Sequence, residues 1–160
     1  MAVKLTESQG TKCHLVAITV TTSTATEIAS AITGGKEIKF IPDLGDIGTS
    51  KNVTSYNFIN TDEVAKSIGS LTLPNFPCDL MYDAADTKGQ KDLRDMYAAN
   101  SRRKMIVALN DQITPTTGNP TYITFEVAVS SLNIGVAKDN AVMSKTTIEL
   151  CSVPVIIPAA

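Results

Sequence analysis

Short segments with the alternating pattern of a β-strand make up most of this sequence. In the clearest of them, residues 122–129, Ile123, Phe125, Val127 and Val129 alternate with more polar residues, so that one face of the strand is apolar. The other candidate strands are bounded by Gly, Pro, Asn and Asp; they are residues 13–21, 37–41, 53–59, 70–73, 77–82, 105–110, 134–138 and 144–152. The pattern predicts a mainly β protein of the α+β kind, built as a β-sandwich or small barrel with one short α-helix.

One compact amphipathic helix is predicted after residue 86. Leu93, Met96 and Tyr97 recur at the spacing of one helical face, whereas the charged residues around them would face water. Asp86 is the predicted N-cap, because its carboxylate can accept hydrogen bonds from the free amides of the first turn. Such a helix closes one end of a β domain and by itself says nothing about function.

Residues 25–33 allow two interpretations. Thr24 and Glu27 have the spacing of a capping box, and Gly34 with Gly35 would end a short helix. The many Thr and Ser residues before position 27 fit a hairpin with a mobile tip almost as well. The sequence leaves both structures open.

The size and charge of the chain limit the classes of function. With 160 residues, 43% of them hydrophobic, the chain is long enough for one sizeable core and is interpreted as one domain over residues 1–160. The formal net charge of −2 argues against a protein that grips nucleic acid through its phosphates. The one basic cluster, residues 102–104, is interpreted as a solvated turn before a strand, with contact to an acidic patch on a neighbouring subunit as the alternative.

The cysteines indicate neither a disulfide framework nor a zinc site. Cys13, Cys78 and Cys151 are an odd number at wide spacing, without a CxxC pair. We expect buried or half-buried free thiols, as in a reducing cytosol.

A secretory signal that is cleaved near Ala31 is the alternative interpretation of the N-terminal apolar run, residues 13–20. The run is short, alternating and interrupted by His14 and Thr19, so a strand is preferred. No segment approaches the ~20 apolar residues needed to cross a bilayer, and no membrane association is predicted.

Two segments are unusually apolar for exposed positions. Residues 42–54 form a predicted loop too long for a tight hairpin turn, and it carries Leu44 and Ile47. The C-terminal tail, residues 154–160, carries Val155, Ile156 and Ile157 between two prolines. Both observations predict surface that a partner covers.

Catalysis has no positive support in the residues. His14 is the only histidine, and a lone imidazole in an apolar strand is typical of a structural residue. Asp79, Asp83 and Asp86 span a strand-to-helix turn, where acidic residues commonly cap and solvate, so they are a weak candidate for a metal or acid–base cluster. The chain is therefore predicted not to be an enzyme and to need no cofactor and no metal.

Three segments carry a resemblance to a known family. Residues 41–59 read IPDLGDIGTSKNVTSYNFI, residues 78–100 read CDLMYDAADTKGQKDLRDMYAAN, and residues 105–111 read MIVALND before a closing pattern over residues 133–153. In order and spacing these resemble the tail tube proteins, or major tail proteins, of bacteriophages with long, non-contractile tails. The lambda type without its C-terminal immunoglobulin-like domain is the most similar in organisation. The resemblance covers residues 36–157 and leaves residues 1–35 unplaced.

The resemblance implies a structural virion protein that assembles with itself into stacked hexameric rings. It implies a hollow tail through which DNA passes without specific binding, assembly in the host bacterial cytoplasm, and tape-measure, tail-tip and tail-terminator proteins as partners. Thr124 and Glu126, on the polar face of a strand, are the candidates for the lumen. The candidates for ring stacking lie in the long loop and the tail: Asp43, Leu44, Asp46, Ile47, Lys51, Val155, Ile156 and Ile157.

The alternatives belong to other classes. A non-catalytic β-sandwich module that binds carbohydrate or protein would require a face of exposed aromatic residues, and the chain has no Trp and 5% aromatic residues. A small hydrolase ranks after this module, and a secreted adhesin or pilus-like subunit ranks last.

Overall fold

The computed structural model describes residues 7–42, 44–59, 62, 64–111, 118–136 and 141–159. Within these ranges the chain forms nine strands and two helices. In chain order they are β1 Glu7–Val16, α1 Ala25–Gly34, β2 Lys36–Ile38, β3 Ser50–Asn57, β4 Val64–Thr72, β5 Asn75–Met81, α2 Gly89–Ala99, β6 Arg102–Asn110, β7 Tyr122–Gly135, β8 Met143–Leu150 and β9 Val155–Ile157.

Seven strands form one curled antiparallel sheet in the order β2-β1-β6-β7-β8-β5, with β9 paired to the start of β7. The strands β3 and β4 pair with each other in a separate two-stranded sheet. The mainly β fold class is confirmed. The predicted helix is accompanied by a second one, because residues 25–33 adopt the helical of the two structures that the sequence left open.

The strand β7 joins two segments that were predicted as separate strands, residues 122–129 and 134–138. It runs for 14 residues, and its pairing with β8 shifts register between Val129 and Ser131. Such a bulge adds one residue and reverses the alternation beyond it: Val129 faces the core and so does Leu132. The broken alternation made one strand resemble two. Residues 137–140 lie outside the described residues.

The basic run is part of the sheet, so its interpretation as a solvated turn is wrong. Arg102, Arg103 and Lys104 are the first three residues of β6. The Lys104 Nζ donates to the Val20 carbonyl at 2.6 Å, and Arg103 Nε lies 3.4 Å from an Asp92 carboxylate oxygen. Long cationic side chains can lay their aliphatic stems along a sheet and still hold a polar partner.

The main core lies between one face of the sheet and α2. Leu93 and Met96 of α2 pack there with alternate residues of β1, β5, β6, β7 and β8, and the rings of Phe76 and Phe125 meet edge to face at 6.0 Å. The helix approaches β2 at backbone distance, since a Cβ on Gly89 would stand 2.3 Å from the Glu37 carbonyl oxygen. Gly89 is therefore the residue type that this contact requires.

Asp86 caps α2 as predicted, but it lies before the N-cap position rather than at it. The N-cap position is Lys88, which has no side-chain cap, but the Asp86 Oδ2 accepts the Gln90 amide at 2.6 Å and the Lys91 amide at 3.2 Å. The predicted burial of Tyr97 is wrong, because its side chain is 46% exposed. The buried stripe of α2 contains Gln90 and Asp92 instead.

The helix α1 covers part of the opposite face of the sheet. Its capping box is formed: the Glu27 amide donates to Thr24 Oγ1 at 3.3 Å, and the Thr24 amide donates to Glu27 Oε2 at 3.0 Å. Ile28 is fully buried in a second, smaller cluster with Val16, Ile106 and Tyr122. Residues 13–34 thus contribute a central strand and a packed helix.

Candidate assembly surfaces

The predicted assembly loop folds back on the body of the protein. Leu44 and Ile47 were expected to be exposed, and both are half-buried against the main core. Asp46 is exposed, and Asp43 lies outside the described residues. The loop also ends earlier than predicted, because Lys51 is already an exposed residue of β3. The exposed apolar surface therefore belongs to the element that follows the loop.

That element is the β3–β4 hairpin, in which every strand residue is exposed. Val53 is paired with Ile68, and Asn57 with Val64. Paired residues point to the same face of a sheet, so this face carries the apolar side chains Val53, Val64, Ile68 and Leu71. It also carries Lys51, Ser55, Asn57 and Lys66 around them, and Ile68 is 67% exposed. We call it the apolar face of the hairpin. In the described part of the chain, neither β3 nor β4 pairs with a strand of the main sheet.

The end strands β2 and β5 of the main sheet are covered by the chain itself, whereas β9, paired to the start of β7, forms a third edge. At β5, the Met81 amide donates to the Phe40 carbonyl at 3.0 Å, and Pro77 removes another amide from the same edge. At β2, the start of α2 packs at backbone distance through Gly89. Such cover is how monomers protect a sheet edge from pairing with another chain.

The C-terminal tail forms the short edge strand β9. It pairs with residues 122–124 of β7, and the Ala159 amide donates to Thr121 Oγ1 at 3.1 Å. Val155 and Ile156 remain exposed, whereas Ile157 packs against the α1 cluster. Two of the three tail residues predicted to stack are therefore on the surface.

The structure places the two lumen candidates differently. Thr124 is 4% exposed, opposite Ile106 of the α1 cluster, so the exposed side chain on which that prediction rested is absent. Glu126 is half-buried, and its backbone amide donates to Ser152 Oγ at 2.8 Å. Beyond α1, the same face of β5 and β8 carries Asp79 paired with Lys145, and Glu149.

A buried ionic contact fastens α2 to the sheet. The Asp92 side chain is 4% exposed and lies 2.6 Å from Lys36 Nζ, with Arg103 on its second oxygen. Gln90 adds neutral bonds, since its Nε2 donates to the Met81 carbonyl at 2.8 Å and its Oε1 accepts the Asp83 amide at 3.0 Å. These polar groups are paired, as burial requires, and they hold the turn after β5.

The groups considered for chemistry are dispersed or occupied locally. The Asp83 carboxylate accepts the Ala85 amide at 2.9 Å, and Asp86 caps α2. In the part of the chain that the structure describes, no group of three or more His, Cys, Asp or Glu residues has the arrangement of a metal site. None of the described helices is long and apolar enough to span a bilayer.

His14 and two cysteines are buried. Burial is the main cause that lowers the pKa of His14; the nearby Lys12 lowers it further and Glu37 opposes this. The Nδ1 of His14 has no hydrogen-bond partner among the described residues. Burial also raises the pKa of the Cys13 and Cys78 thiols to about 12, so both stay protonated and unreactive. The cysteines are free, as predicted.

Exposed aromatic residues do not gather on one face. Phe40 follows β2, Tyr56 and Phe58 belong to the hairpin region, and Tyr97 lies on α2. A carbohydrate-binding face would require several of them side by side.

Comparisons with known proteins support the fold. No family model matches the sequence, and no curated protein matches it. The chain superposes on the tail tube of phage SPP1 with a TM-score of 0.67 and 11% identity, over 96% of this chain and 80% of that one. It superposes on a chain of the sheath/tube terminator of the extracellular contractile injection system PVC with a TM-score of 0.67 and 7% identity, over 98% and 99% of the two chains. For a chain of the anti-feeding prophage baseplate the TM-score is 0.70 at 5% identity, over 99% and 98%. At such identities the likeness establishes a shared fold.

Proposed function

We propose that this protein is a structural subunit that assembles copies of itself into a tube of stacked rings. The observation that carries the proposal is the β3–β4 hairpin. It projects four apolar side chains from a body that has already covered the end strands of its own sheet. A surface of this kind is typical of a site that binds another protein.

In an isolated monomer the hairpin has little to stabilise it. A two-stranded hairpin without packing is marginally stable in water, and its apolar face gains nothing until another surface removes it from solvent. A second copy is the partner that a tube subunit always has available. Contacts between unlike surfaces of identical copies close into rings or propagate as filaments, and a stacked tube uses both.

The likeness to known structures supports the tube rather than another assembly. The similar chains come from the SPP1 tail tube, from the PVC sheath/tube terminator and from a baseplate solved with 6-fold symmetry. We propose rings of six subunits, a place in the tail of a phage with a long non-contractile tail, and assembly in the host cytoplasm. Terminator, tape-measure and tail-tip proteins would bind the ends and bore of the tube.

The bore would carry DNA without holding it. The chain has a net charge of −2, and duplex DNA has about one negative charge per 1.7 Å. We propose that the uncovered polar face of β5 and β8 lines the bore together with Glu126. On that face Asp79 stands opposite Lys145 in the strand register. Lys104 stands opposite Glu126, and Arg102 and Glu149 lie on the same side, so the described face mixes acidic and basic residues rather than presenting cations alone.

Removing the hairpin tests the proposed function. Ser50 and Thr72 are paired at the base of the hairpin, so an Asn-Gly turn can replace residues 51–71 without separating the flanking chain. Negative-stain microscopy of the concentrated full-length protein should show hollow tubes. The hairpin-less variant should keep the circular dichroism spectrum and thermal midpoint of the body and form no tubes.

Two results would contradict the proposal. Full-length protein that stays monomeric at every concentration and ionic strength would remove the tube-forming role. Normal tubes from the hairpin-less variant would show that the subunits join through other surfaces.

A further inference from the structure

The two end strands of the curled sheet meet where β5 ends. In the sheet order β2-β1-β6-β7-β8-β5, the strands β2 and β5 stand at opposite ends. The chain leaves β2 at Ile38, and two residues later the Phe40 carbonyl accepts the amide of Met81, the last residue of β5, at 3.0 Å. This backbone bond joins one end of the sheet to the other and closes the curl.

The side chain of Gln90 in α2 bridges the same place. Its Nε2 donates to the Met81 carbonyl at 2.8 Å and to the Lys39 carbonyl at 3.4 Å, and its Oε1 accepts the Asp83 amide at 3.0 Å. Gln90 is 3% exposed, and a buried polar group that loses its partner is costly. One side chain therefore connects the segment after β2, the end of β5 and the turn beyond it.

The segment after β2 covers the outer edge of β5. We call residues 39–42 and 44–47 the strap. Gly45 of the strap lies against β5, because a Cβ on Gly45 would stand 3.0 Å from Pro77 Cδ. The half-buried side chains of Ile41, Leu44 and Ile47 pack against the main core. Among the described strands β5 pairs with β8 alone, so the strap covers the edge without forming a strand.

The strap is strained at the residue that closes the sheet. The φ of Phe40 is 62°, in the left-handed region that bulky side chains rarely adopt. Residues in such conformations persist where the surrounding contacts hold them. At Phe40 those contacts are the bond from the Met81 amide and the bridge through Gln90 to the neighbouring Lys39 carbonyl. The closed strap therefore depends on a small polar contact that works against backbone strain.

From the closing bond, the buried bridge and the strained backbone, we infer that Gln90 locks the strap, and that the strap opens as one unit and bares the β5 edge when the lock is lost. A bared edge pairs with strands of other chains. Each copy carries suitable strands, because among the described residues β9 pairs only with β7, and β3 and β4 only with each other. The locked strap is thus an autoinhibitory cover against strand pairing with a second copy. The inference concerns the single chain and goes beyond the proposed function.

Amide hydrogen exchange of the full-length monomer, measured below the concentration of assembly, tests the lock. Gln90→Met keeps the length of the side chain and removes its donors and its acceptor. The Met81 and Asp83 amides should then exchange at least about tenfold faster than in the wild type, relative to the amides of β6 and β7. Asp92→Asn is the matched control, because Asp92 is as buried as Gln90 but contacts β2 and β6 instead of the strap. In this control the Met81 and Asp83 amides should change no more than those of β6.

A second pair of variants displaces the strap from its other end and leaves α2 untouched. Gly45 has a φ of 68°, so Gly45→Val strains the backbone and crowds Pro77. Because the strap opens as one unit, this change should also speed exchange of the Met81 amide by at least about tenfold. Gly48→Val is the control: Gly48 is exposed in the same loop, and a Cβ there would meet nothing within 4 Å. It should leave the Met81 amide unchanged.

Sedimentation velocity tests the autoinhibitory role of the strap. At concentrations where the wild type is monomeric, Gln90→Met and Gly45→Val should form dimers and larger species, and their two controls should not. The Asp79 amide lies two residues before Met81 and faces the same edge of β5. In the associated species this amide should become protected from exchange, because a strand of the second copy accepts it.

A Met81 amide that stays protected in either folded variant would overturn the lock, and so would equal acceleration in the controls. If Gln90→Met does not fold, Gly45→Val with its control decides the question. Unlocked variants that stay monomeric, or that associate without protecting the Asp79 amide, would overturn the autoinhibitory role. These measurements do not require tubes, so wild-type protein that forms no tubes would remove the proposed function and leave this inference standing.

Discussion

Two strands of this protein contain isoleucines with opposite environments. Ile148 in β8 is fully buried, whereas Ile68 in β4 is 67% exposed. Both lie in antiparallel pairs, so strand formation alone does not decide burial. The difference is that β8 packs against the core that includes α2, while among the described strands β4 pairs with β3 alone. The body thus buries its core within one chain, whereas the hairpin keeps apolar side chains in solvent that the proposed assembly would cover.

The body and the hairpin should therefore affect different properties: the body should determine stability, and the hairpin should determine assembly. The body contains the buried core and therefore supplies most of the free energy of unfolding. The hairpin adds backbone hydrogen bonds that are exposed to water, and its strands bury almost no side-chain surface. Changes in the body should alter folding, and changes in the hairpin should alter association.

Amide hydrogen exchange should show the largest contrast between the two regions. In monomeric protein, the hairpin amides should exchange at nearly unprotected rates, and the central strands β6 and β7 should require global opening, a difference of at least about a thousandfold. In assembled tubes the hairpin amides should become protected. Hairpin protection already equal to that of β6 in the monomer would break the comparison.

A pair of truncations should show the next largest contrast. Leu93 in α2 is 1% exposed, and Leu93→Ala should lower the free energy of unfolding by about 2–5 kcal/mol, since a cavity replaces packed atoms. The matched change Ile68→Ala in the hairpin should cost less than about 0.5 kcal/mol. Urea unfolding below the concentration of assembly measures both. Equal losses would mean that the hairpin belongs to the folded core.

Much of the fold could be predicted from local pattern. The strands that pack on the core show alternation because one face is buried, and α2 and its Asp86 cap follow from spacing within a few residues. The same rule explains the failure at β4, which was predicted only over residues 70–73. Both faces of β4 are exposed. Lys66 lies between Val64 and Ile68 on one face, and Gly69 with Ser70 interrupts the strand pattern, so the alternation is weak.

The remaining errors come from contacts between distant residues. Asp92 is buried in place of Tyr97 because Lys36 and Arg103 neutralise it, and no pattern within the helix reveals those partners. Leu44 and Ile47 were predicted to be exposed, because the sequence of a loop does not reveal that the loop folds onto the core. Among the candidate surfaces, Val155 and Ile156 of the tail are exposed, and their role in stacking stays a prediction. The strand β3 was predicted from residue 53, but most of its partner β4 was not.

The smallest predicted effect is the pH dependence that His14 gives to the body. Its pKa in the folded protein is lowered, first by burial, and among the described residues no acceptor lies within hydrogen-bond distance of Nδ1 to stabilise a proton there. In the unfolded chain the imidazole titrates near its usual pKa of about 6.5. As the pH falls below that value, the unfolded state binds the proton first, so the free energy of unfolding should decrease until the folded pKa is reached.

The measurement is urea unfolding of wild type and His14→Gln between pH 7.5 and pH 5 at fixed ionic strength. Carboxylates contribute to the slope in both proteins, so the difference between the two slopes isolates His14. The wild type should lose more stability toward low pH than the variant, whatever the variant costs at pH 7.5. In the hairpin-less protein the difference should be unchanged, because His14 lies in β1. Parallel pH profiles for wild type and His14→Gln would show that the imidazole titrates equally in the folded and unfolded chain.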